Sequence, residues 1–432
     1  MKRVKTGNII IATTLILTSL LWFLSKSGLN EIVNYPLSSV NQITALMGTL
    51  LLSWGMLLMT RLDFLEDMFE GLNNVYTAHK KTSIWGIILI IIHVVALVFE
   101  RLPNINQAFN LFLPLHKQPF INLGVFSFWL FILFITIALL RIKLKLPYHT
   151  WKTMHKFAGI ALVLAFIHII LIPRDNPASM LNFWLIGTTG VGIASWIYYE
   201  LFYKILTPSY KHEVSEIIRA GDVFKIKLTS IGRKMKYKPG QFVYLSFIKS
   251  AIEKEIHPFT ITSHPNEKEL SFAIKVLGDY TATLNKLKVG DIAQIWGPYG
   301  RFADRFLNTN KDVIFIGGGI GIASFLGMIK EEKRKGKNRS ISLFYCTKYK
   351  CDACFDAELK NSFKDNPNFF YLNKCSRTDG RLSISEIIKR AKDIKGTLIF
   401  VCGPKRMVSP LINSLTTQNI PSKNIISEYF NF

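Results

Sequence analysis

Four of the nine histidines lie in or beside long apolar runs: His79 and His93 bound "HKKTSIWGIILIIIH", and His155 and His168 bound "HKFAGIALVLAFIH". An imidazole in hydrocarbon costs free energy unless something there engages it. The paired rings are fourteen and thirteen residues apart, so at 1.5 Å per residue each helix would carry one ring near an end and another roughly 20 Å further along. Two such helices side by side offer two pairs at matching depths, His79 with His155 and His93 with His168. Imidazole is a common axial ligand of haem iron, and two stacked haems would carry electrons through a bilayer. The angles fit less well: fourteen residues return to within ~40° of one face, whereas thirteen leave the rings ~140° apart on an ideal helix. The second helix must therefore bend or meet its ligand differently. Gly86 and Gly159, midway along the two runs, are expected to let a bulky macrocycle approach. His116 and His149 fall in connecting loops and are read as ordinary polar residues.

Those helices belong to a longer series. Apolar runs occur at 9–24, 38–60, 82–99, 123–140, 157–172 and 181–202, each near the ~20 residues that cross a ~30 Å hydrocarbon core. Six spans are expected, all before residue 206. The first follows Met1-Lys2-Arg3-Val4-Lys5 with no small-residue cleavage site before Lys26, so it is read as retained. Basic residues gather at Arg61, Lys80, Lys81, Arg141, Lys143, Lys145, Lys152, Lys156, Lys204 and Lys211, which places the N-terminus and the C-terminal half in the cytoplasm. All five cysteines lie in that half, as suits a reducing compartment. A composition 49% hydrophobic and 19% charged excludes both a purely soluble protein and a bare channel. The net charge of +24 suits anionic lipid and a polyanionic cofactor. Nucleic acid is excluded as a partner, since no basic stripe with interleaved aromatics appears outside the spans.

Beyond residue 206 the periodicity changes. "FKIKLTS", "QFVYLSF", "LSFAIKVL" and "IAQIWGP" alternate like strands between turn signals, as in a small antiparallel barrel. In "LGDYTATL" a glycine turn at Gly278 opens a helix whose free N–H groups attract phosphate. "DVIFIGGGIGIASFLGMI" reads as buried strand, glycine turn and helix, the context of a dinucleotide site, although its spacing is not G-x-G-x-x-G. Gly317, Gly318, Gly319 and Gly321 would let a pyrophosphate approach the backbone, and "SISLFYC" and "TLIFVCGP" would continue a parallel sheet. A 2′-phosphate on the adenosine ribose wants cations where NADH would want a carboxylate. Cys346, Cys351 and Cys354, with Cys375 downstream, formally match the spacing of a two-iron two-sulfur site. Cys346, however, closes a strand that the sheet needs, so the cysteines are read as structural.

The ordered set of histidine pairs, "HPFTITS" (257–263), "LGDYT" (277–281), "GPYG" (297–300), "GGGIGIASF" (317–325), "CGP" (402–404) and a closing aromatic resembles the NADPH oxidase and ferric reductase superfamily. Within it, a chain with no calcium-binding extension is similar to the prokaryotic NADPH oxidases of the bacterial cell membrane. The resemblance implies a six-span membrane α-helical bundle carrying two haem b (1–206). A ferredoxin-NADP-reductase-like unit would follow, with an antiparallel β-barrel for FAD (207–306) and an α/β dinucleotide-binding domain for NADPH, or NADH (307–432). It further implies that Thr260 bonds the isoalloxazine in a pocket shaped by His257, Pro258, Phe259, Thr262 and Ser263, and that Gly278, Tyr280 and Thr281 line the FAD pyrophosphate. Ser376, Arg377 and Arg381 of "KCSRTDGR" match the family's Ser-Arg segment and, with Lys348 nearby, would meet the 2′-phosphate. Cys402, Gly403 and Pro404 would meet the nicotinamide, Phe432 would stack on the flavin, and Glu428 would assist proton or hydride handling. The implied activity moves electrons from cytoplasmic NADPH to an acceptor outside, oxygen giving superoxide. A ferric chelate, or relay to a partner protein, is the alternative. Arg101, His116 and Arg174 are the strongly polar residues expected near the outer acceptor.

Overall fold

The computed structural model describes residues 6–141, 143–146, 148–173, 179–249, 251–252, 254–336, 338–364 and 366–430. Among them the chain forms two compact units that meet between Leu206 and Thr207.

The first unit is helical, and six of its helical runs are long and apolar enough to cross a membrane. They comprise α1 (Thr6–Leu24), α2 (Pro36–Leu58), α3 (Leu72–Arg101), α4 (Pro119–Leu140), the pair α5 (Tyr148–Lys156) and α6 (Ala158–Leu171), and α7 (Met180–Ile197), which continues to Leu206. His149 falls in the first turn of α5 rather than in a loop. Lipid gives apolar helices no reason to prefer one another over acyl chains, so small residues and buried hydrogen bonds do the joining. Gly48 and Gly86 let α2 and α3 close: a Cβ on Gly86 would stand 3.1 Å from the Gly48 carbonyl. Ser127 Oγ donates to the Ala161 carbonyl at 2.8 Å, tying α4 to α6. Trp54 and Trp184 donate to Thr14 and Thr18 of α1 at 3.0 and 2.9 Å. Large apolar side chains such as Ile16, Trp85, Phe126 and Leu133 point outward, as a lipid-facing surface requires. This is an integral membrane protein.

The second unit opens with six antiparallel strands: β1 (Ser209–Ala220), β2 (Val223–Ile231), β3 (Phe242–Lys249), β4 (His257–Thr260), β5 (Leu270–Lys275) and β6 (Ile292–Tyr299). Their order is β4-β3-β6-β1-β2-β5, and a bridge between Ile261 and Phe272 joins the two edges into a barrel. Val214, Ile226, Leu245, Phe247 and Phe272 fill it. A one-turn helix, α8 (Asp279–Ala282), follows β5.

Five parallel strands come next: β7 (Val313–Gly318), β8 (Ile341–Thr347), β9 (Phe369–Cys375), β10 (Leu398–Pro404) and β11 (Ile425–Phe430), in the order β11-β10-β7-β8-β9. Strands covered on both faces read as unbroken apolar runs, and β7 shows why. Phe315 packs with Phe325 and Phe400 on one side, while Ile314 and Ile316 pack with Phe344 and Val408 on the other. The covering helices include α9 (Ala323–Lys335), α10 (Asp356–Lys364) and α11 (Lys405–Thr417). At the end of α9, Glu332 and Arg339 form an ion pair with both side chains only 1% exposed, and Arg339 also donates to the Thr309 carbonyl at 2.9 Å. Removing one partner strands a buried charge. Glu332→Ala should therefore cost about 3 kcal/mol of stability, read as earlier thermal release of bound FAD.

Candidate functional site

Three of the four membrane histidines share one bonding pattern. His79 Nδ1 lies 2.8 Å from the Gly55 carbonyl, His93 Nδ1 3.1 Å from the Asn41 carbonyl, and His168 Nδ1 2.7 Å from the Phe120 carbonyl. A carbonyl only accepts, so Nδ1 carries the proton and each neutral ring keeps its lone pair on Nε2, the arrangement that orients a metal-binding imidazole. The spacing on α2 explains two of these contacts. Asn41 and Gly55 are fourteen residues apart on a helix antiparallel to α3, matching His93 and His79. For His155, Nδ1 is buried without a hydrogen-bond partner among the described residues, and its ring stacks on Trp151 at 5.4 Å and 14°.

The His79 and His155 ring centres are 6.2 Å apart with planes at 88°. An iron bound at ~2 Å by one nitrogen of each ring, each nitrogen roughly 1.2 Å from its own centre, would set coaxial rings about 6 Å apart. The separation leaves room for one iron between the two rings, so His79 and His155 would hold a haem at this depth. His93 and His168 lie within electrostatic reach of each other, and Gly124 leaves room for the outer ring, since a Cβ there would stand 2.9 Å from His168 Cε1. Helix α3 packs along α2, and α6 along α4 and α7.

The awkward thirteen-residue spacing is resolved by a break. Between α5 and α6, Phe157 has ψ −8°, and i→i+3 bonds replace the α-helical ones on either side of it, from Phe157 N to Met154 O and from Ile160 N to Phe157 O. The rings therefore do not share one ideal helix. Gly86 and Gly159 play another part than expected. Gly86 faces α2, and a Cβ on Gly159 would stand 2.2 Å from the Trp196 indole, so both serve helix packing rather than a macrocycle.

In the barrel, His257 stacks on Tyr280 at 4.0 Å and 20°, and its Nε2 lies 2.7 Å from Glu255 Oε2. The Tyr280 hydroxyl is buried with no hydrogen-bond partner among the described residues, and burial pushes its phenol up in pKa. A buried, unmatched donor is costly, and it fits a polar ligand. Thr260, half-buried at the end of β4, pairs with Phe242 of β3. Pro258 is exposed and Phe259 half-buried on the same strand. Thr281 Oγ1 instead accepts the Leu277 N–H at 2.6 Å, closing the turn that Gly278 opens with φ +101°. Thr262 and Ser263 are buried, and the Ser263 hydroxyl meets Tyr237 and the Ser271 N–H at 2.9 and 3.0 Å. Thr281 and Ser263 thus bond within the protein.

The nucleotide candidates gather at the carboxyl ends of the parallel strands, where open α/β sheets bind ligands. Three of the four glycines are claimed by packing: a Cβ would stand 2.9 Å from Ile322 at Gly317, 2.6 Å from Met407 at Gly318 and 2.5 Å from the Cys402 carbonyl at Gly321. Gly319, with φ +54° and open space before it, is the one that leaves backbone accessible. Ser376 N donates to the Thr347 carbonyl at 2.9 Å, which brings Lys348 beside the exposed Ser376 and Arg377, with Arg381 exposed nearby in sequence. Thr347 itself escaped the sequence reading, yet its hydroxyl is buried without a hydrogen-bond partner among the described residues. Cys402 pairs with Gly317 on one side and Glu428 on the other. Burial pushes its thiol up, and its Sγ is 3.4 Å from Ser324 Oγ. Gly403 and Pro404 end the same strand, with Gly403 closed against Gly318. Phe432 and Arg174 lie outside the described residues. Arg101 pairs with Glu100 at 3.8 Å, and the His116 N–H donates to Asn122. Burial raises the Cys346 thiol to about 12, and Cys375 Sγ donates to the Lys348 carbonyl. Among the described residues no three His, Cys, Asp or Glu side chains gather as a metal site.

Three family profiles match the chain in order: a "ferric reductase like transmembrane component" over residues 44–166, an "FAD-binding domain" over 210–303 and an "oxidoreductase NAD-binding domain" over 315–411. The chain is similar to two superoxide-generating NADPH oxidase heavy chains of Dictyostelium discoideum. One is 26% identical over 48% of this chain and 32% of its own length, and the other 30% identical over 42% of this chain and 37% of its own length. The matches thus span about a third of the length of those relatives. Flavohemoglobin from Malassezia yamatoensis, with FAD and haem, aligns over 93% of this chain and 98% of its own at TM-score 0.51 and 17% identity, a likeness of fold alone.

Proposed function

We infer that this chain, which belongs to the NADPH oxidase and ferric reductase superfamily and is a transmembrane oxidoreductase with FAD- and NAD-binding domains, carries electrons from cytoplasmic NADPH to an acceptor across the membrane. Oxygen, giving superoxide, is the acceptor the oxidase relatives favour. The observation that carries the reading is the His79 and His155 ring separation of 6.2 Å, together with Nδ1–carbonyl bonds at His79, His93 and His168 that reserve Nε2 for a metal.

Bound FAD would convert a two-electron hydride delivery into single electrons, and two haem b would accept them one at a time. The protein's own part is positioning. His79 with His155, and His93 with His168, hold the two irons. Tyr280 and Thr260 orient the flavin, while the backbone at Gly319 admits the pyrophosphate of NADPH. Cys402 and Glu428, adjacent across β10 and β11, border the nicotinamide. Lys348, Arg377 and Arg381 meet the 2′-phosphate through charge-assisted bonds worth roughly 1.5–3 kcal/mol each. Replacing Lys348 and Arg377 together by alanine should therefore raise KM for NADPH at least tenfold while leaving KM for NADH within twofold, as read by steady-state ferricyanide reduction.

A ferric chelate is the second acceptor, favoured by the ferric-reductase description of the matched transmembrane profile. Purified protein in liposomes separates the two readings. NADPH-driven reduction of cytochrome c that superoxide dismutase abolishes is the expected result. Dismutase-insensitive reduction of ferric citrate, with no oxygen consumed, would replace it.

A further inference from the structure

We propose that His264 is a positioning residue for hydride transfer: bonded to Glu331, it fixes helix α9, which begins at the nucleotide-binding glycines, against the segment that leaves the flavin-binding strand. The inference rests on the flavin and nucleotide sites assigned above.

His264 lies four residues beyond Thr260, and Glu331 lies in the second half of α9. Each residue is only 7% exposed. His264 Nδ1 accepts the Asn266 N–H at 3.1 Å, so its proton sits on Nε2, which donates to Glu331 Oε2. Arg334 grips both oxygens of the same carboxylate at 3.0 and 3.1 Å, and Lys335 reaches it at 2.9 Å. Arg334, with His264 and Lys335 behind it, holds the Glu331 carboxyl down at about 2, so the link keeps its charge. One turn earlier, Gly327 lets α9 close on the barrel, where a Cβ would stand 3.2 Å from the Ser263 carbonyl. Lys330 adds a 3.0 Å pair with Glu267. Residues 327, 330, 331 and 334 form one helical face, and that face reads residues 263–267.

Phe325, Leu326, Met328 and Ile329 share one buried cluster with Val223 and Ala273 of the barrel, so packing holds the first half of the helix and the charged link holds the second. An open groove of about 310 Å³ adjoins the link, bordered by Tyr237, Lys238 and Pro265 of the barrel side and by Asn308 and Lys335. Loss of the bond frees the second half of the helix to shift toward that groove. Hydride transfer needs donor and acceptor within ~3–3.5 Å, and a displacement of about 1 Å can cost a hundredfold in rate. Nucleotide affinity, set at the far end of the sheet by Lys348 and Arg377, would change little.

Stopped-flow reduction of the FAD-loaded full chain by NADPH tests the inference. His264→Leu and Glu331→Ala should each lower the limiting rate of flavin bleaching at least tenfold with the NADPH dissociation constant within twofold. His264→Gln, whose amide N–H replaces Nε2–H, should stay within threefold of the parent. Should His264→Leu fail to retain FAD, Glu331→Ala decides from the other side of the bond. Limiting rates within twofold of the parent for both, or a loss confined to nucleotide affinity, would overturn the positioning role alone. A parent chain that NADPH does not reduce would overturn the nucleotide site and this inference with it.

Discussion

His93→Leu should leave NADPH-driven flavin reduction within twofold of the parent rate and cut reduction of an acceptor beyond the membrane more than a hundredfold. Leucine matches the apolar surroundings and approximates the ring's bulk, so α3 keeps its place along α2, while the nitrogen that would bind iron is gone. Within the protein the substitution removes one 3.1 Å bond to the Asn41 carbonyl, worth about 1 kcal/mol, too little to unfold a six-span bundle. The flavin and nucleotide residues lie in the other compact unit, so their chemistry should proceed. Stopped-flow bleaching of the flavin, run beside acceptor reduction in liposomes, separates the two effects. Far-side reduction that persisted at the parent rate would remove His93 from the outer pair.

The complementary loss should come from Gly321→Val. A Cβ at Gly321 would stand 2.5 Å from the Cys402 carbonyl oxygen and 2.7 Å from its carbon. That backbone cannot retreat, because β10 is bonded to β7 on one side and β11 on the other. Overpacking of a core costs ~1–3 kcal/mol, occasionally more, and a main-chain clash inside a sheet belongs at the upper end. The variant should lose NADPH-dependent flavin reduction almost completely while its haem absorbance per polypeptide matches the parent. Gly319→Ala offers the contrast. Its Cβ meets open space, so only the positive φ is strained, at about 1 kcal/mol, and the fold should survive. Visible spectra and NADPH titrations of the two variants check both statements.

What the sequence revealed depended on how the information was carried. Six apolar runs stood out because a lipid-facing helix is apolar even where it is exposed, and the β7 strand because burial on both faces leaves unbroken hydrophobic text. β1 did not, although it sits in the middle of its sheet, because "SYKHEVSEIIRA" places charged residues along most of its length. β11, "IISEYF", was not identified as a strand, since a parallel edge strand is fixed by its partner rather than by its own pattern. The four histidines were visible because a polar ring in an apolar run is anomalous. Their partners were not, because Gly55, Asn41 and Phe120 act through main-chain carbonyls, which every residue possesses. Glycine showed both outcomes. That a residue is small can be read from its letter, but which neighbour uses the space cannot, so Gly86 and Gly159 were assigned to a macrocycle and Gly124 was passed over. The helix break at Phe157 had no proline to announce it, and the neighbouring Gly159 is used by Trp196. Only the mismatch between thirteen residues and one helical face hinted that something there must give.

Whether four imidazoles hold two haems is decided most directly by spectroscopy of the purified chain. Pyridine haemochrome absorbance and released flavin, measured on one preparation, should give haem b and FAD in a ratio near two to one, with both haems lost when all four histidines become leucine. A colourless protein, a ratio of one, or haem retained in the fourfold variant would contradict the account.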